Sequence, residues 1–203
     1  MSDVAREFPG ESLELDEYLA DFEHRFWSTG NRRCWKIERR QTFVEQGSAS
    51  YDAFDKGDWE GALKLIEKRR QDIVEQHTKI ASWGMEICRV RIVEEPLSPY
   101  LIWELNSLRQ RRELGENIRV VESDSIAELE RDGELPEIVG VDANVAYRVI
   151  YNAHGAAARA VRTTDRSTAE HWRSVFTRLF AAGVDMADFF DRRVAGLRPV
   201  RTP

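Results

Sequence analysis

The middle of the chain carries a strand–helix–strand pattern, and this pattern limits the possible folds more than any other feature. Residues 87–93 alternate apolar and basic side chains, as a strand with two different faces does. Ser98 then suits a helix N-cap, and Pro99 suits the first helical position, where its missing N–H costs nothing. Gly115 is typical of a residue that follows a helix end. A helix between two strands is the usual crossover of a parallel pair, so residues 118–121 are predicted to pair parallel to the first strand.

The first strand of this unit has two chemically distinct faces. Cys88, Val90 and Ile92 point one way, whereas Arg89 and Arg91 point the other. On the crossover helix, one apolar stripe is predicted from the spacing of Leu101, Leu105 and Leu108.

Downstream of the crossover, the pattern changes to an antiparallel meander. Strands are predicted over residues 137–141, 145–151 and 157–161, and Asp142-Ala143-Asn144 suits a tight turn between the first two. A parallel crossover followed by a meander predicts an α/β (mixed α+β) fold. Its sheet is mixed parallel and antiparallel, with a right-handed β-α-β crossover, a C-terminal β-meander and flanking helices.

The N-terminal part of the chain is predicted to be mainly helical. An apolar stripe over residues 15–26 indicates a helix closed by Gly30. Alternation over residues 34–41 suits a short, half-exposed strand. After a polar break at residues 46–50, a long helix is predicted from the Asp58 cap to Gly84; its apolar positions are Trp59, Leu63, Ile66, Ile73, His77 and Ile80.

The C-terminal part is also predicted to be helical. Residues 167–170 form a capping-box pattern that opens a helix ending at Gly183, and Asp185 can start a short final helix. The length of 203 residues predicts one domain. We therefore expect a single domain over residues 1–197, with a helical segment 11–84 packed on a sheet core 85–197, and a flexible tail 198–203.

The charge balance of the chain argues against two classes of function. Lys and Arg number 30 and Asp and Glu 36, for a net charge of −6, whereas nucleic-acid and membrane-surface binders are usually basic. No apolar run approaches the roughly 20 residues that a membrane helix needs, and the acidic, polar first ten residues do not resemble a signal peptide. These features predict a cytoplasmic protein without membrane contact.

Several kinds of catalytic or cofactor site lack sequence support. No nucleophile elbow, Walker loop or dinucleotide-binding glycine motif is present, so no cofactor is expected. Cys34 and Cys88 lie far apart in apolar contexts, which predicts buried, reduced thiols rather than a disulfide. A metal site is not expected, because the histidines are scattered at positions His24, His77, His154 and His171.

A candidate site follows from the loop after the first crossover strand. Glu94 and Glu95 come at the carboxyl end of that strand, where ligands of open α/β sheets gather. Tyr100 and Glu104 are four residues apart and share a face of the crossover helix next to that end. The cluster can bind a polar or cationic ligand, or it can be a structural ion-pair network near a helix N-terminus. The candidate ligand-binding residues are Glu38, Arg40, Arg91, Glu95, Tyr100, Trp103 and Glu104.

Two features of this candidate site indicate what kind of ligand or surface it can provide. The Glu94-Glu95-Pro96 loop places negative charge where a phosphate needs glycine and exposed N–H groups. Trp103 lies off the leucine stripe, and an exposed aromatic residue beside carboxylates suggests a binding surface. Trp59 and Trp172, in contrast, lie on apolar helical stripes and are expected in the core.

Two segments resemble a known family. The first is Trp35-Lys-Ile-Glu-Arg-Arg-Gln41, and the second is Arg91-Ile-Val-Glu-Glu-Pro-Leu-Ser-Pro-Tyr100. In these segments and over most of its length the chain resembles a family of uncharacterised, mostly actinobacterial proteins known only as a domain of unknown function. Members of such families are often encoded near helix-turn-helix regulators, so the resemblance implies a regulatory or partner-binding role.

Three hypotheses about function follow. The leading one is a non-enzymatic regulatory or protein-interaction module with a protein partner, such as a helix-turn-helix regulator, and a small polar ligand at the strand ends. The second is an enzyme that uses Glu95 and Glu104 as acid and base, with Tyr100 and Arg91 positioning a polar substrate. The third, direct DNA binding, is disfavoured by the charge. A homo-oligomer formed through the meander's edge strands is compatible with each of these.

Overall fold

A computed structural model describes residues 8–28, 32–141 and 144–199. The strands are β1 Glu11–Glu14, β2 Arg33–Glu38, β3 Glu86–Val93, β4 Asn117–Glu122, β5 Ile138–Gly140, β6 Ala146–Tyr151, β7 Ala157–Thr163 and β8 Val184–Asp185. The helices are α1 Leu15–Phe26, α2 Ala49–Asp55, α3 Trp59–Lys68, α4 Arg70–Ser82, α5 Pro99–Glu113, α6 Arg166–Ala182 and α7 Met186–Arg193. A 3₁₀ turn at Ser123–Ile126 follows β4.

The strands form one open mixed sheet in the order β1-β7-β6-β5-β2-β3-β4-β8. The pairs β2–β3 and β3–β4 are parallel, and the other neighbouring pairs are antiparallel. Helix α5 connects the parallel pair β3–β4 with Ser98 as its N-cap and Pro99 as its first residue, and Gly115 follows its end with a φ of 118°. The predicted mixed α/β fold, with its crossover and its meander β5-β6-β7, is confirmed.

One face of the sheet is covered by α6. Trp35 and Ile37 of β2 join the apolar side chains of β3 and the buried stripe of α6, which includes Trp172 and Phe176, in one cluster. The rings of Trp35 and Phe176 stack at 5.2 Å between centroids. Hydrophobic burial on this face therefore fixes the central strands to the C-terminal half of the chain.

The opposite face is covered by several helices. Helix α1 packs on the meander, where the rings of Tyr18 and Tyr147 lie 5.1 Å apart. Helix α5 packs its leucine stripe against β4 and α7, and its other side meets α2 and α3 around Tyr100 and Trp103. The α5 residues on both sides are buried, so this helix lies inside the protein rather than on its surface. Between α1 and α5 lies the central strand β2.

The strand predicted over residues 34–41 differs from the expectation. It ends at Glu38 and is central rather than half-exposed, since β3 and β5 pair with its two edges. Cys34 and Trp35, which point to opposite faces, are 1% and 2% exposed. Its position depends on which strands become its neighbours, and the alternation of its own residues does not contain that information.

The long helix predicted from the Asp58 cap to Gly84 is wrong in part. Asp58 is the cap, and its side chain accepts a hydrogen bond from the Gly61 N–H. The helical stretch breaks at Arg69 into α3 and α4. The additional helix α2 was not predicted, and Ser48 within the expected polar break is its N-cap.

The C-terminal helix also starts earlier than predicted. Its N-cap is Asp165, whose carboxylate accepts from Thr168, so Ser167 lies inside the helix and does not cap it. Gly183 ends this helix and Asp185 caps α7, as predicted. Strands β1 and β8 were not predicted. The expected roles of Gly30, of Asp142-Ala143 and of residues 200–203 lie outside the described residues.

Candidate functional site

Charged side chains occupy the centre of the sheet on the face between α1 and α5. The register places Lys36 opposite Arg89 and Glu38 opposite Arg91 on the parallel strands β2 and β3. All four side chains point to one face of the sheet, because side chains alternate between the two faces along a strand. Two further carboxylates reach them from α5 and from the turn before β4. We call the set Lys36, Glu38, Arg89, Arg91, Glu104 and Glu116 the polar strip.

Arg89 joins two carboxylates of the polar strip. Its Nη1 donates to Glu38 Oε1 and Oε2 at 2.5 and 2.6 Å, and its Nε donates to Glu116 Oε1 at 2.7 Å. The side chain of Glu116 is 1% exposed and that of Glu38 is 17% exposed. Burial acts to raise the pKa of both carboxyls, but Arg89 together with neighbouring cations such as Lys36 outweighs it, so both pKa values lie below the ordinary value. Both residues are therefore charged.

Arg91 is the most deeply buried cation of the polar strip. Its Nε donates to Glu104 Oε2 at 2.7 Å, and its Nη1 donates to the backbone carbonyls of Glu38 and Ile92 at 3.2 and 2.9 Å. Its side chain is 0% exposed, and its Nη2 has no hydrogen-bond partner in the described part of the chain. Burial raises the pKa of Glu104 against the opposing effect of Arg91. A buried guanidinium nitrogen without an acceptor is uncommon, because desolvation is costly unless a hydrogen bond replaces the lost water.

Lys36 differs from the other cations of the polar strip. It is half-buried, and among the described residues no carboxylate forms an ion pair with its ammonium group. Its charge helps to lower the pKa of Glu38 and of Glu116, so it lies near both. The three carboxylates of the polar strip are bound by arginines instead, since Glu104 pairs with Arg91 and the other two pair with Arg89. Lys36 is thus the cation whose charge is not directly paired.

Glu137, which immediately precedes β5, borders the polar strip. Its Oε1 accepts from the backbone N–H groups of Arg39 and Arg40 at 2.8 and 2.6 Å, which holds the end of β2. Its Oε2 is buried and has no hydrogen-bond partner among the residues that the structure describes. Burial, with a contribution from the charge of Glu38, raises the pKa of Glu137 to about 7. This carboxyl can therefore exchange a proton near neutral pH.

The structure brings three of the predicted site residues together, namely Glu38, Arg91 and Glu104. Tyr100 lies close by, but its hydroxyl donates to Glu45 at 2.7 Å, and burial raises the pKa of Tyr100 above its usual range. Arg40 is exposed and lies over the Tyr151 ring, 5.2 Å from its centroid.

Trp103 does not form an exposed binding surface, and that expectation is wrong. It is 4% exposed and packs between Tyr51, Phe54 and Tyr100, with centroid distances of 5.4, 5.8 and 5.5 Å. The leucine stripe of α5 faces the sheet and α7, but α2 and α3 cover the side of the helix that carries Trp103. Since α2 was not predicted, its cover over this side was not foreseen.

Glu95 is directed away from the polar strip. Its Oε1 accepts from Arg193 of α7 at 2.7 Å, and its side chain is 40% exposed. The preceding Glu94 pairs with Arg39 at 2.7 Å instead. Glu95 and Glu104 therefore have different arginine partners and different degrees of burial, and their side chains do not form one pair.

Four residues of this region were not among the predicted site residues: Lys36, Arg89, Glu116 and Glu137. One signal was available in the sequence, because two arginines on one face of a strand in a parallel pair indicate buried charge, and buried charge needs carboxylate partners. Of those partners, Glu38 and Glu104 were among the predicted residues, but Glu116 was not, since it meets Arg89 only after the crossover helix has returned the chain to β4.

The cysteines are free and buried, as predicted. Burial raises the pKa of Cys34 to about 11 and that of Cys88 to about 12, so neither is a ready nucleophile. Within the described ranges, no group of three His, Cys, Asp or Glu side chains is placed to hold a metal ion. No helix in that same part of the chain is both long and apolar enough to cross a membrane.

Comparison with known proteins gives a family but no activity. No curated protein matches the chain. A family model described as a domain of unknown function, DUF6879, matches residues 20–191, which include β2 to β8 and the whole polar strip. The chain therefore belongs to this family of domains of unknown function.

Proposed function

We propose that this domain is a non-enzymatic, cytoplasmic regulatory module that binds a small polar ligand at the polar strip and acts through a protein partner. The observation that carries the proposal is the set of polar groups in the polar strip that lack a protein partner within the described ranges. Arg91 Nη2 is buried and unpartnered, and the half-buried Lys36 lacks an ion pair among the described residues. A polar ligand can supply the acceptor that Arg91 Nη2 lacks and a donor to Glu116 Oε2, which is also buried without a hydrogen-bond partner among the described residues.

The placement of the charges supports binding rather than a purely structural role. Buried ion pairs contribute little net stability, because desolvation offsets their attraction, and apolar side chains of similar size often stabilise a fold as well. The polar strip nevertheless occupies the centre of the sheet, where Ile118 and Val120 of the neighbouring strand β4 are apolar. Ligand recognition provides a reason to keep charges at such a position.

The arrangement favours binding over catalysis by Glu95 and Glu104. An acid and a base must both reach the same substrate, and their protonation states must be free to change. Glu104 is held in a buried pair with Arg91, whereas Glu95 is bound to Arg193 and exposed. We therefore prefer a ligand-responsive module to the acid–base enzyme.

The acidic surface beside the polar strip supports a basic partner. Residues 122–137 contain seven acidic residues and one arginine. We call the exposed carboxylates on this surface the acidic rim: Glu94, Glu95, Glu122, Glu128 and Glu134. Such a surface attracts a positively charged partner and speeds its association. A DNA-binding regulator of the helix-turn-helix class has the required charge.

Ligand binding can be tested with the small-molecule fraction of a cell extract. We expect this fraction to raise the Tm of the wild-type domain, because a ligand that binds only the native state stabilises it. Lys36→Met should lose the shift, and the control Lys64→Met, on the exposed side of α3, should keep it. An equal shift in all three proteins, or no shift at all, contradicts the ligand site. Consumption of any component, followed by mass spectrometry, contradicts the non-enzymatic role.

The partner can be tested by co-purification of the untagged product of a neighbouring gene. Reversing two exposed charges of the acidic rim, as Glu128→Lys with Glu134→Lys, should reduce capture of the partner and its sensitivity to salt. Glu170→Lys on α6 is the matched control and should leave capture unchanged. If capture is unaffected by the rim variant, the partner does not use this surface.

A further inference from the structure

An irregular segment covers the carboxyl ends of the central parallel strands. Residues 39–48 connect β2 to α2 and contain neither helix nor strand, and we call them the strap. Gln41 fastens the strap to the end of β3. Its Nε2 donates to the Ile92 carbonyl at 3.1 Å, and its Oε1 accepts from the Glu94 N–H at 2.8 Å. The strap therefore lies over the end of the sheet where ligands of open α/β folds gather.

Phe43 of the strap covers the buried arginine of the polar strip. The Arg91 guanidinium lies over the Phe43 ring, 5.7 Å from its centroid, and Phe43 is itself 7% exposed. The hydrogen-bond partners of Arg91 within the described ranges are Glu104 and the carbonyls of Glu38 and Ile92, which belong to α5, β2 and β3. Phe43 is thus a contact of Arg91 that a local movement can remove without breaking the sheet or α5.

The Tyr100 hydroxyl fastens the middle of the strap to α5. It donates to Glu45 Oε1 at 2.7 Å. Burial raises the pKa of Tyr100 above its usual range, so the hydroxyl stays protonated and remains a donor. Phe43 packs on the rings of Tyr100 and Tyr151, with centroid distances of 5.7 and 5.0 Å. The same side chain of α5 therefore holds the strap by a hydrogen bond and by ring packing.

The strap is attached differently from the strands beneath it. The Val44 N–H donates to the Gly155 carbonyl at 2.9 Å, whereas the bonds at Gln41 and Glu45 are made by side chains. Strands β2 and β3 are instead held along their length by paired neighbours on both edges. A segment held by a few separate bonds opens at a lower free energy than a continuous ladder.

We propose that the strap is the gate of the ligand site: it opens locally to admit the ligand to Arg91 and closes over it through the hydrogen bond between Tyr100 and Glu45. This inference rests on the proposed function and says how the ligand reaches its site. The Arg91 side chain is 0% exposed, and its Nη2 is the donor that the ligand satisfies. Part of the protein must therefore move before a ligand reaches this nitrogen.

Hydrogen exchange followed by NMR measures the opening of the strap in the whole domain. The reporters are the amides of Val44 and Glu94, whose hydrogen bonds both break when the strap leaves the sheet. The reference amides are those of residues 88–91 in the middle of β3. After correction for intrinsic rates, the reporters should exchange faster than the reference amides, because the strap opens while the sheet stays folded.

Two tyrosine variants distinguish local opening from global unfolding. Tyr100→Phe removes the hydrogen bond to Glu45 and should speed exchange of the reporters by about 10- to 100-fold, the range for a bond to a charged group. The matched control is Tyr147→Phe, which loses a bond of the same kind, to Asp21 at 2.6 Å, far from the strap in sequence and on α1. It should speed the reference amides through global unfolding and leave the reporters unchanged.

Two results of this comparison overturn the gate. If Tyr147→Phe speeds the reporters as much as the reference amides, the strap opens only when the whole domain unfolds. If Tyr100→Phe leaves the exchange of the reporters unchanged, its hydroxyl does not hold the strap closed.

Addition of the small-molecule fraction of a cell extract separates this inference from the proposed function. The fraction should raise the Tm of the wild type and slow exchange of both reporters, because the closed strap holds the bound ligand. Lys36→Met should show neither effect. A rise in Tm with unchanged exchange of the reporters means that the ligand enters elsewhere; it overturns the gate and leaves the ligand site in place. If the fraction changes neither the Tm nor the exchange, both the gate and the ligand site are wrong.

Discussion

Arg91 and Glu104 form a buried ion pair, so we expect their contributions to the free energy of unfolding to be strongly coupled. Arg91 Nε donates to Glu104 Oε2 at 2.7 Å, and the two side chains are 0% and 9% exposed. Replacing either partner alone leaves the other charge buried without its counter-charge. We expect Arg91→Met or Glu104→Leu to lower the free energy of unfolding by about 3–5 kcal/mol.

The double variant should be much less destabilised than the sum of the single variants. Removing both charges removes both desolvation penalties, so the ion pair itself costs little to replace. Arg91 also donates to the carbonyls of Glu38 and Ile92, and their loss costs about 1 kcal/mol each. The double variant is therefore expected within about 2 kcal/mol of wild type, which gives a coupling energy of about 4 kcal/mol or more.

Urea unfolding followed by far-UV circular dichroism measures the four free energies of this cycle. The matched control is the exposed pair Arg166–Glu170, with side chains 80% and 45% exposed, for which we expect a coupling below about 0.5 kcal/mol. A coupling energy below about 1 kcal/mol for Arg91 and Glu104 would refute the reasoning, because such a value is typical of solvated pairs.

Three further predictions concern neighbouring groups. The folded pKa of Glu137, about 7, lies above its usual value of 4.5; its contribution to stability is therefore complete below pH 4.5 and lost as the pH rises through 7. Urea unfolding at pH 5 and pH 8 should show wild type losing about 2.5 kcal/mol relative to Glu137→Gln, and a constant difference would contradict this pKa. Gly140→Ala places a Cβ 2.0 Å from the Trp35 ring and should cost about 1–3 kcal/mol in urea unfolding, but clearly less in a Trp35→Leu background. Cys34 and Cys88 should stay unreactive towards a thiol reagent at pH 8 in the native protein and react after unfolding; rapid native reaction would show that they are accessible.

The crossover could be predicted because its signals are local. The cap at Ser98, the first helical residue Pro99 and the end at Gly115 act within a few residues of where they stand. The parallel pairing of β3 and β4 then follows from a general rule of chain connection.

The centre of the sheet could not be predicted in the same way. The alternation around Trp35 indicates a strand, but the partners of β2 are β3 and β5, and the latter begins about a hundred residues later in the chain. A strand with one neighbour and a strand with two can have the same pattern of residues. The expectation of a half-exposed strand failed for this reason.

The candidate site was predicted only in part, because some of its contacts lie within the crossover and others depend on the whole fold. Glu104 and Arg91 lie on adjacent elements of the crossover, and the structure joins them. Glu95 was placed with them from its position in the loop, but its partner Arg193 belongs to α7, whose position depends on the whole fold. Lys36 and Glu116 come together only through the register of β2, β3 and β4.

The central claim is that the polar strip binds a small polar ligand and that Lys36, which has no ion-pair partner among the described residues, is needed for this binding. Native mass spectrometry tests it most directly, with the domain incubated in the small-molecule fraction of a cell extract and then transferred to a volatile buffer. Wild type and Lys64→Met should both carry one additional small mass, and Lys36→Met should carry none. An unliganded wild type, or the same additional mass on all three proteins, contradicts the claim.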